Sequence, residues 1–212
     1  MRRPAPRLIV ITDLSLLTPH ELVRQVEALA FAARAGSVAI LLRDHDAPAR
    51  LRLNLGRQLG QIARYADQQL WVADRLDLAL LLEADGAHLG EASVSGHDAR
   101  RLLGPDLHLS RAWHCAELEG LDAELDGLDA LLLSPVFAAR KGRPALGAPA
   151  LASLGAALQT HFRPIRFYAL GGVTAIDVPA CDAAGAAGVA AIGAALVPEP
   201  RPLLEALGIL RG

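Results

Sequence analysis

The chain has 212 residues and a mass of 22.3 kDa, long enough to bury a sizeable core as one domain. Apolar residues make up 52% but aromatics only 4%, so Ala, Leu and Val must fill the interior, while a charged share of 21% is too high for a membrane bundle and too mixed for disorder. Lys and Arg number 21 against 23 Asp and Glu, a formal charge of −2, so no global basic field recommends nucleic acid or an anionic membrane as a partner.

The first apolar run, Leu8-Ile9-Val10-Ile11, stops at Thr12-Asp13 and reads as a strand rather than a leader. Thr18-Pro19-His20-Glu21 follows, with Thr as N-cap, Pro at the first helical position and an acid at N3. Helical spacing at Leu22, Val26, Leu29 and Ala30 then runs to a stop at Gly36. Further β-rich runs are Val38 to Leu42, Leu70 to Val72, Gly86 to Leu89, Leu107 to Leu109, Ala130 to Leu133, Ile165 to Leu170, and Gly188 to Ile192. Most are separated by helical spacing, as at Leu51, Leu55, Leu59 and Ile62. Strand–helix repeats of about 26 residues fit an α/β fold, a minimal closed (β/α)8 TIM barrel forming a single compact domain over residues 1–212; an open doubly wound sheet is the alternative. No apolar stretch reaches the roughly 18 residues of a membrane span. Cys115 and Cys181 show neither CxxC nor Cys/His spacing, which argues against a disulfide framework or structural zinc and makes a reducing cytoplasm the default location.

Almost every run ends in a chemically useful group: Asp13, Arg43, Asp74, Glu91, Arg111, Ser134 and Gly171-Gly172. In a closed barrel those ends converge on one mouth. Glycines after the seventh and eighth runs suit a phosphate cradle built from Gly171, Gly172, Ile192 and Gly193, because backbone N–H groups without Cβ atoms beside them approach phosphate oxygens closely. A short helix starting at Gly193 would add its dipole. Ser134 has no GxSxG elbow, the remaining histidines (His20, His88, His97, His108, His161) form no metal triad by spacing, and Tyr65, Trp71 and Tyr168 read as packing residues.

In order, the blocks Val10-Ile11-Thr12-Asp13, Leu42-Arg43, Ala73-Asp74-Arg75-Leu76-Asp77-Leu78-Ala79, Ala84-Asp85-Gly86-Ala87-His88-Leu89-Gly90, Ser134-Pro135-Val136-Phe137 and Ala169-Leu170-Gly171-Gly172-Val173 resemble the thiamin phosphate synthase and thiazole tautomerase superfamily of (β/α)8 barrels. The likeness spans nearly the whole chain. It implies a small-molecule partner, a thiazole phosphate, at the glycine cradle. In synthase members it also implies a magnesium pyrophosphate site, where Arg43 would bind pyrophosphate and Asp74 would ligate Mg2+, and it leaves room for a homo-oligomer.

The sequence departs from that pattern. Leu41 and His45 stand where synthases have glutamine and lysine, Ala73 where they have asparagine, and Ser93 where they have the second magnesium aspartate, with Glu91 as a displaced substitute. The threonine-rich phosphate loop becomes Ala138-Ala139-Arg140-Lys141-Gly142-Arg143-Pro144, in which Arg140, Lys141 and Arg143 could clamp an anion. His45 offers a second phosphate contact. His114 matches a histidine of tautomerase members and could shuttle a proton between carbons, while Ala112 replaces a serine of both branches. The leading expectation is therefore a metal-independent thiazole tautomerase, with His114 as proton shuttle and Arg43 or the loop cations orienting the carboxylate. The alternative is a divergent Mg2+-dependent thiamin phosphate synthase using Asp74 and Glu91. A second alternative is a catalytically silent binder of thiazole or thiamin phosphate.

Overall fold

The computed structural model of the protein describes residues 3–114, 125–140, 142–161 and 165–212. Eight strands, β1 (Leu8–Ile11), β2 (Val38–Leu42), β3 (Gln69–Ala73), β4 (Gly86–Leu89), β5 (His108–Trp113), β6 (Ala130–Leu133), β7 (Arg166–Leu170) and β8 (Gly188–Ala191), pair in parallel in chain order. Val189 of β8 pairs with Leu8 of β1, which closes the barrel. The expected (β/α)8 architecture is the one observed, and the open sheet is excluded.

Described helices are α1 (Pro19–Ala32), α2 (Ala49–Tyr65), α3 (Leu76–Leu81), α4 (Gly96–Leu103), α5 (Gly147–His161), α6 (Val178–Ala183) and α7 (Arg201–Ala206). The start of α1 matches its sequence signal: the Glu21 N–H donates to the Thr18 hydroxyl while the Glu21 carboxylate accepts from the Thr18 N–H. None of the described helices is long and apolar enough to cross a membrane.

The strands divide their side chains with period two. Leu8, Val10, Ile40 and Leu42 face the helices, whereas Ile9, Ile11, Ala39, Leu41, Trp71, Ala73, Leu132, Tyr168 and Ala190 fill the interior. With few aromatics available, small and large residues alternate there. Gly86 leaves the space Trp71 occupies, since a Cβ on it would lie 2.8 Å from the indole ring.

Two elements differ from the sequence reading. Hydropathy ends the fifth run at Leu109, but β5 continues to Trp113 because β4 and β6 pair with it on both sides, as at Leu89 with Arg111 and Leu133 with Trp113. Polar Ser110 and Arg111 are nevertheless buried, and Arg111 donates to the carbonyls of Gly90 and Val94 at 3.3 and 2.9 Å. After β8, the helix expected at Gly193 is a single turn in which the N–H groups of Ala195 and Leu196 return to the Ile192 carbonyl.

The end of the barrel opposite the mouth is stoppered by the chain's first described residues. Tyr168 Oη donates to the Pro6 carbonyl at 2.9 Å, Gln69 Nε2 donates to that of Pro4 at 2.7 Å, and His108 Nε2 lies 2.8 Å from that of Arg3. The His108 ring stacks on Trp71, and Trp71 Nε1 donates to Gln69 Oε1. A polar layer thus closes the floor with its hydrogen bonds satisfied.

Candidate active site at the barrel mouth

The C-terminal ends of the strands enclose a cavity of about 460 Å³. Ile11, Leu41, Ala73, Ala112 and Ala190 give it an apolar base, and the small alanines make it deep. Arg43, His45, Asp74, His88, Glu91, His114, Ser134, Arg140, Arg143, Gly171, Gly172, Ile192 and Gly193 belong to its lining, whereas Asp13 and Arg111, also expected at the mouth, do not line it. Lys141 lies outside the described residues.

One wall is backbone. Gly171 and Gly172 have φ of 98° and 75°, and their Cα atoms lie against Pro135 and Ala138, where a Cβ would come within 2.9 and 2.5 Å of heavy atoms. Only glycine combines that conformation with that closeness. The N–H groups of Gly172, Val173, Gly193 and Ala194 donate to no acceptor among the described residues. Four amides at the ends of β7 and β8 therefore remain to receive an anion, without the helix dipole expected at Gly193.

Cations stand at two places on the rim, Arg43 after β2 and Arg140 with Arg143 after β6. Arg43 pairs with Asp13 at 2.9 Å, not with Asp44 or Asp46 beside it in sequence. Asp13 also accepts from the N–H and hydroxyl of Ser15; burial pushes its carboxyl up, but Ser15 and Arg43 outweigh that and hold it below the usual range. Arg140 and Arg143 close a tight turn through reciprocal backbone hydrogen bonds of 3.1 and 3.0 Å, with Gly142 at φ 75°. Arg143 reaches across the mouth to Glu91 at 2.8 Å.

Asp74 is no helix cap, because the α3 N-cap is Arg75. Its Oδ1 accepts from the Gly90 N–H at 2.7 Å and from the Ser93 hydroxyl, tying the β3 end to the loop after β4. Its Oδ2 lies 3.6 Å from His45 Nε2. Burial raises the Asp74 pKa, but Ser93, Gly90 and the neighbouring His45 and His88 together lower it further. Among the described residues no three His, Cys, Asp or Glu side chains gather for a metal, and Glu91 is held by Arg143.

Two histidines occupy the third side. His114 Nδ1 lies 2.8 Å from the Ser134 carbonyl, which can only accept, so Nδ1 carries a proton and, in a neutral ring, Nε2 is the basic nitrogen. Ser134 Oγ is 3.0 Å from the same Nδ1. His114 and Ser134 are 20 residues apart and meet only because β5 and β6 are adjacent. His88 was also missed as a lining residue, for its run reads as ordinary strand. Its Nδ1 contacts Ser110 Oγ at 3.0 Å, and burial pushes its pKa down to about 4.

That burial has a sign. An unfolded histidine takes up a proton near pH 6.5, whereas folded His88 resists until about pH 4, so stability is complete above the former and is lost as pH falls toward the latter. The depressed carboxyls of Asp13 and Asp74 erode stability in the same direction at still lower pH. The thermal midpoint is expected to fall steadily across that window, and His88→Gln to flatten the slope. An unchanged slope in the variant would remove His88 as its source.

Residues 8–195 match the family model described as thiamine monophosphate synthase. The chain is 35% identical to the thiamine-phosphate synthase of Moorella thermoacetica over 81% of its own length and 80% of that protein's. It is 40% identical to that of Anaeromyxobacter dehalogenans over 78% and 72%, and 34% identical to a putative thiamine-phosphate synthase of Geobacter sulfurreducens over 94% and 92%. Among solved structures it is similar to a thiamine phosphate pyrophosphorylase from Pyrococcus furiosus, with a TM-score of 0.77, 29% identity, and coverage of 95% of this chain and 93% of that one. With the closed barrel, the glycine cradle and this breadth of similarity together, the chain belongs to the thiamine monophosphate synthase family.

Proposed function

We propose that the chain is a synthase, joining hydroxymethylpyrimidine diphosphate to thiazole phosphate with release of pyrophosphate. The observation that carries this reading is a single cavity whose lining combines the free amides after β7 and β8 with the guanidinium groups of Arg43, Arg140 and Arg143. The cradle holds the thiazole phosphate. The guanidinium groups receive the diphosphate, whose departure takes the electron pair of the methylene C–O bond while the thiazole nitrogen forms the new C–N bond at the same carbon. Guanidinium groups suit this because their donors meet charge that grows on the leaving oxygens. The apolar base of Ile11, Leu41, Ala73 and Ala112 keeps water from the methylene carbon. Relatives named thiamine-phosphate synthase support this reading over the tautomerase.

A second reading, the thiazole tautomerase, is favoured by His114, whose bare Nε2 belongs to a ring that lines the cavity beside the same cradle. A coupled assay separates the two. The synthase predicts pyrophosphate release that requires both substrates and survives His114→Ala within about tenfold. No release, with isomerisation of a non-aromatic thiazole carboxylate phosphate that His114→Ala abolishes, would replace it with the tautomerase. Phosphate-dependent binding with no turnover of either kind would leave a silent binder.

A further inference from the structure

The carboxylates around the mouth already have their counter-charges and donors inside the protein. Asp13 holds Ser15 and Arg43. Asp44 accepts from the Thr12 hydroxyl and from the Leu14 N–H at 2.6 Å. Asp74 has Gly90 and Ser93 on one oxygen and His45 facing the other, and Glu91 is paired with Arg143. A magnesium ion asks for near-octahedral oxygen ligands at short range, with one or two carboxylates free to give them. Here two of those carboxylate oxygens, Asp74 Oδ2 and Glu91 Oε1, accept no hydrogen bond among the described residues; an imidazole stands against the first, and the carboxylate that carries the second is paired with Arg143.

Behind this pair lies a cation that no step above uses. Arg52, on the first turn of α2, is only 5% exposed, and its Nε and Nη2 have no hydrogen-bond partner among the described residues. The charges of Arg75, Asp44, Asp74 and Asp77 act on it. A guanidinium held at this cost adds buried positive charge near those carboxylates.

From these observations we infer that the mouth binds the diphosphate without a divalent cation, through the guanidinium groups of Arg43, Arg140 and Arg143 that line it. The inference rests on the synthase reading for the identity of that anion. Arg143 turns one edge of its fork to Glu91 and keeps further donors for phosphate oxygens. The tip formed by Arg140 and Arg143 is held by the two backbone hydrogen bonds of its turn, so the pair arrives together. Ser93 is part of the same design: where a second acid would draw a cation to Asp74, its hydroxyl instead donates to that carboxylate.

Calorimetric titration of inorganic pyrophosphate into the intact protein, once with EDTA and once with Mg2+, tests this directly. Affinity is expected to agree within about threefold between the two conditions, and Arg143→Gln to weaken it about tenfold in both. Asp74→Asn gives the sharpest sign. It removes a like charge near the anion and is expected to tighten binding about two- to threefold, whereas loss of a metal ligand would weaken it. Mn2+ added with pyrophosphate to the parent protein is expected to show no protein-bound spin signal, and Ser93→Asp to create one.

Binding that appears only with Mg2+ overturns the metal-free site and leaves the synthase reading standing. Pyrophosphate binding in EDTA without synthase turnover sustains the site and overturns that reading. No binding under either condition overturns both.

Discussion

Gly188→Ala is expected to lower the thermal midpoint by about 6–12 °C, the counterpart of about 3 kcal/mol in a domain of this size. A Cβ on Gly188 would lie 2.1 Å from the Arg7 carbonyl oxygen and 2.7 Å from its carbon. These are backbone atoms and cannot swing aside. The same carbonyl accepts from the Val189 N–H at 3.0 Å, in the seam where β8 meets β1 and the barrel closes. One methyl group must therefore push apart the two strands whose pairing completes the sheet. Gly142→Ala is the control: its φ is 75° but nothing lies within 4 Å of the added atom, so it carries backbone strain without a clash. Calorimetric unfolding of both variants separates the two costs, and equal midpoints would refute the seam argument.

Gly193→Ala is expected to do the reverse, sparing the fold and injuring the site. Its added Cβ would meet no heavy atom within 4 Å, and Gly193 is exposed at the end of β8. That empty space belongs to the cavity, beside the amides of Gly193 and Ala194. A methyl group there holds a phosphate away from donors it must approach to hydrogen-bond distance. Losing one charged hydrogen bond of this kind corresponds to about 10- to 100-fold in affinity for a thiazole phosphate. The dephosphorylated thiazole alcohol should bind parent and variant alike. If affinity for both falls together, the space beside Gly193 receives something other than the phosphate.

The fold was legible because its signals are local. Val38–Leu42, Gly86–Leu89 and Ala130–Leu133 are strands with the bounds their apolar runs suggest, and Thr18 caps α1 as its spacing requires. The convergence of Gly171, Gly172 and Gly193 on one cavity was legible too, since they end strands that must be neighbours in a closed barrel. What the sequence hid is pairing across strands. Arg43 could be assigned an acid nearby in the chain, yet its partner is Asp13, 30 residues earlier and adjacent only through the β1–β2 ladder. The roles of Ser93 and Glu91 depend on which carboxylate or guanidinium each faces, and no spacing rule encodes that. β5 outran its hydropathy because ladder hydrogen bonds do not ask whether a side chain is apolar.

The side chains packed inside the barrel, with the stopper of Arg3 to Pro6 beneath Gln69, Trp71, His108 and Tyr168, make the cavity at the mouth a blind well among the described residues. Two ligands sharing such a well queue: the one seated deeper must arrive first, and its remnant must wait for whatever sits above it to depart. Traffic through a shared mouth, rather than affinity alone, then imposes an order on binding and release, and an excess of the upper ligand becomes a cork.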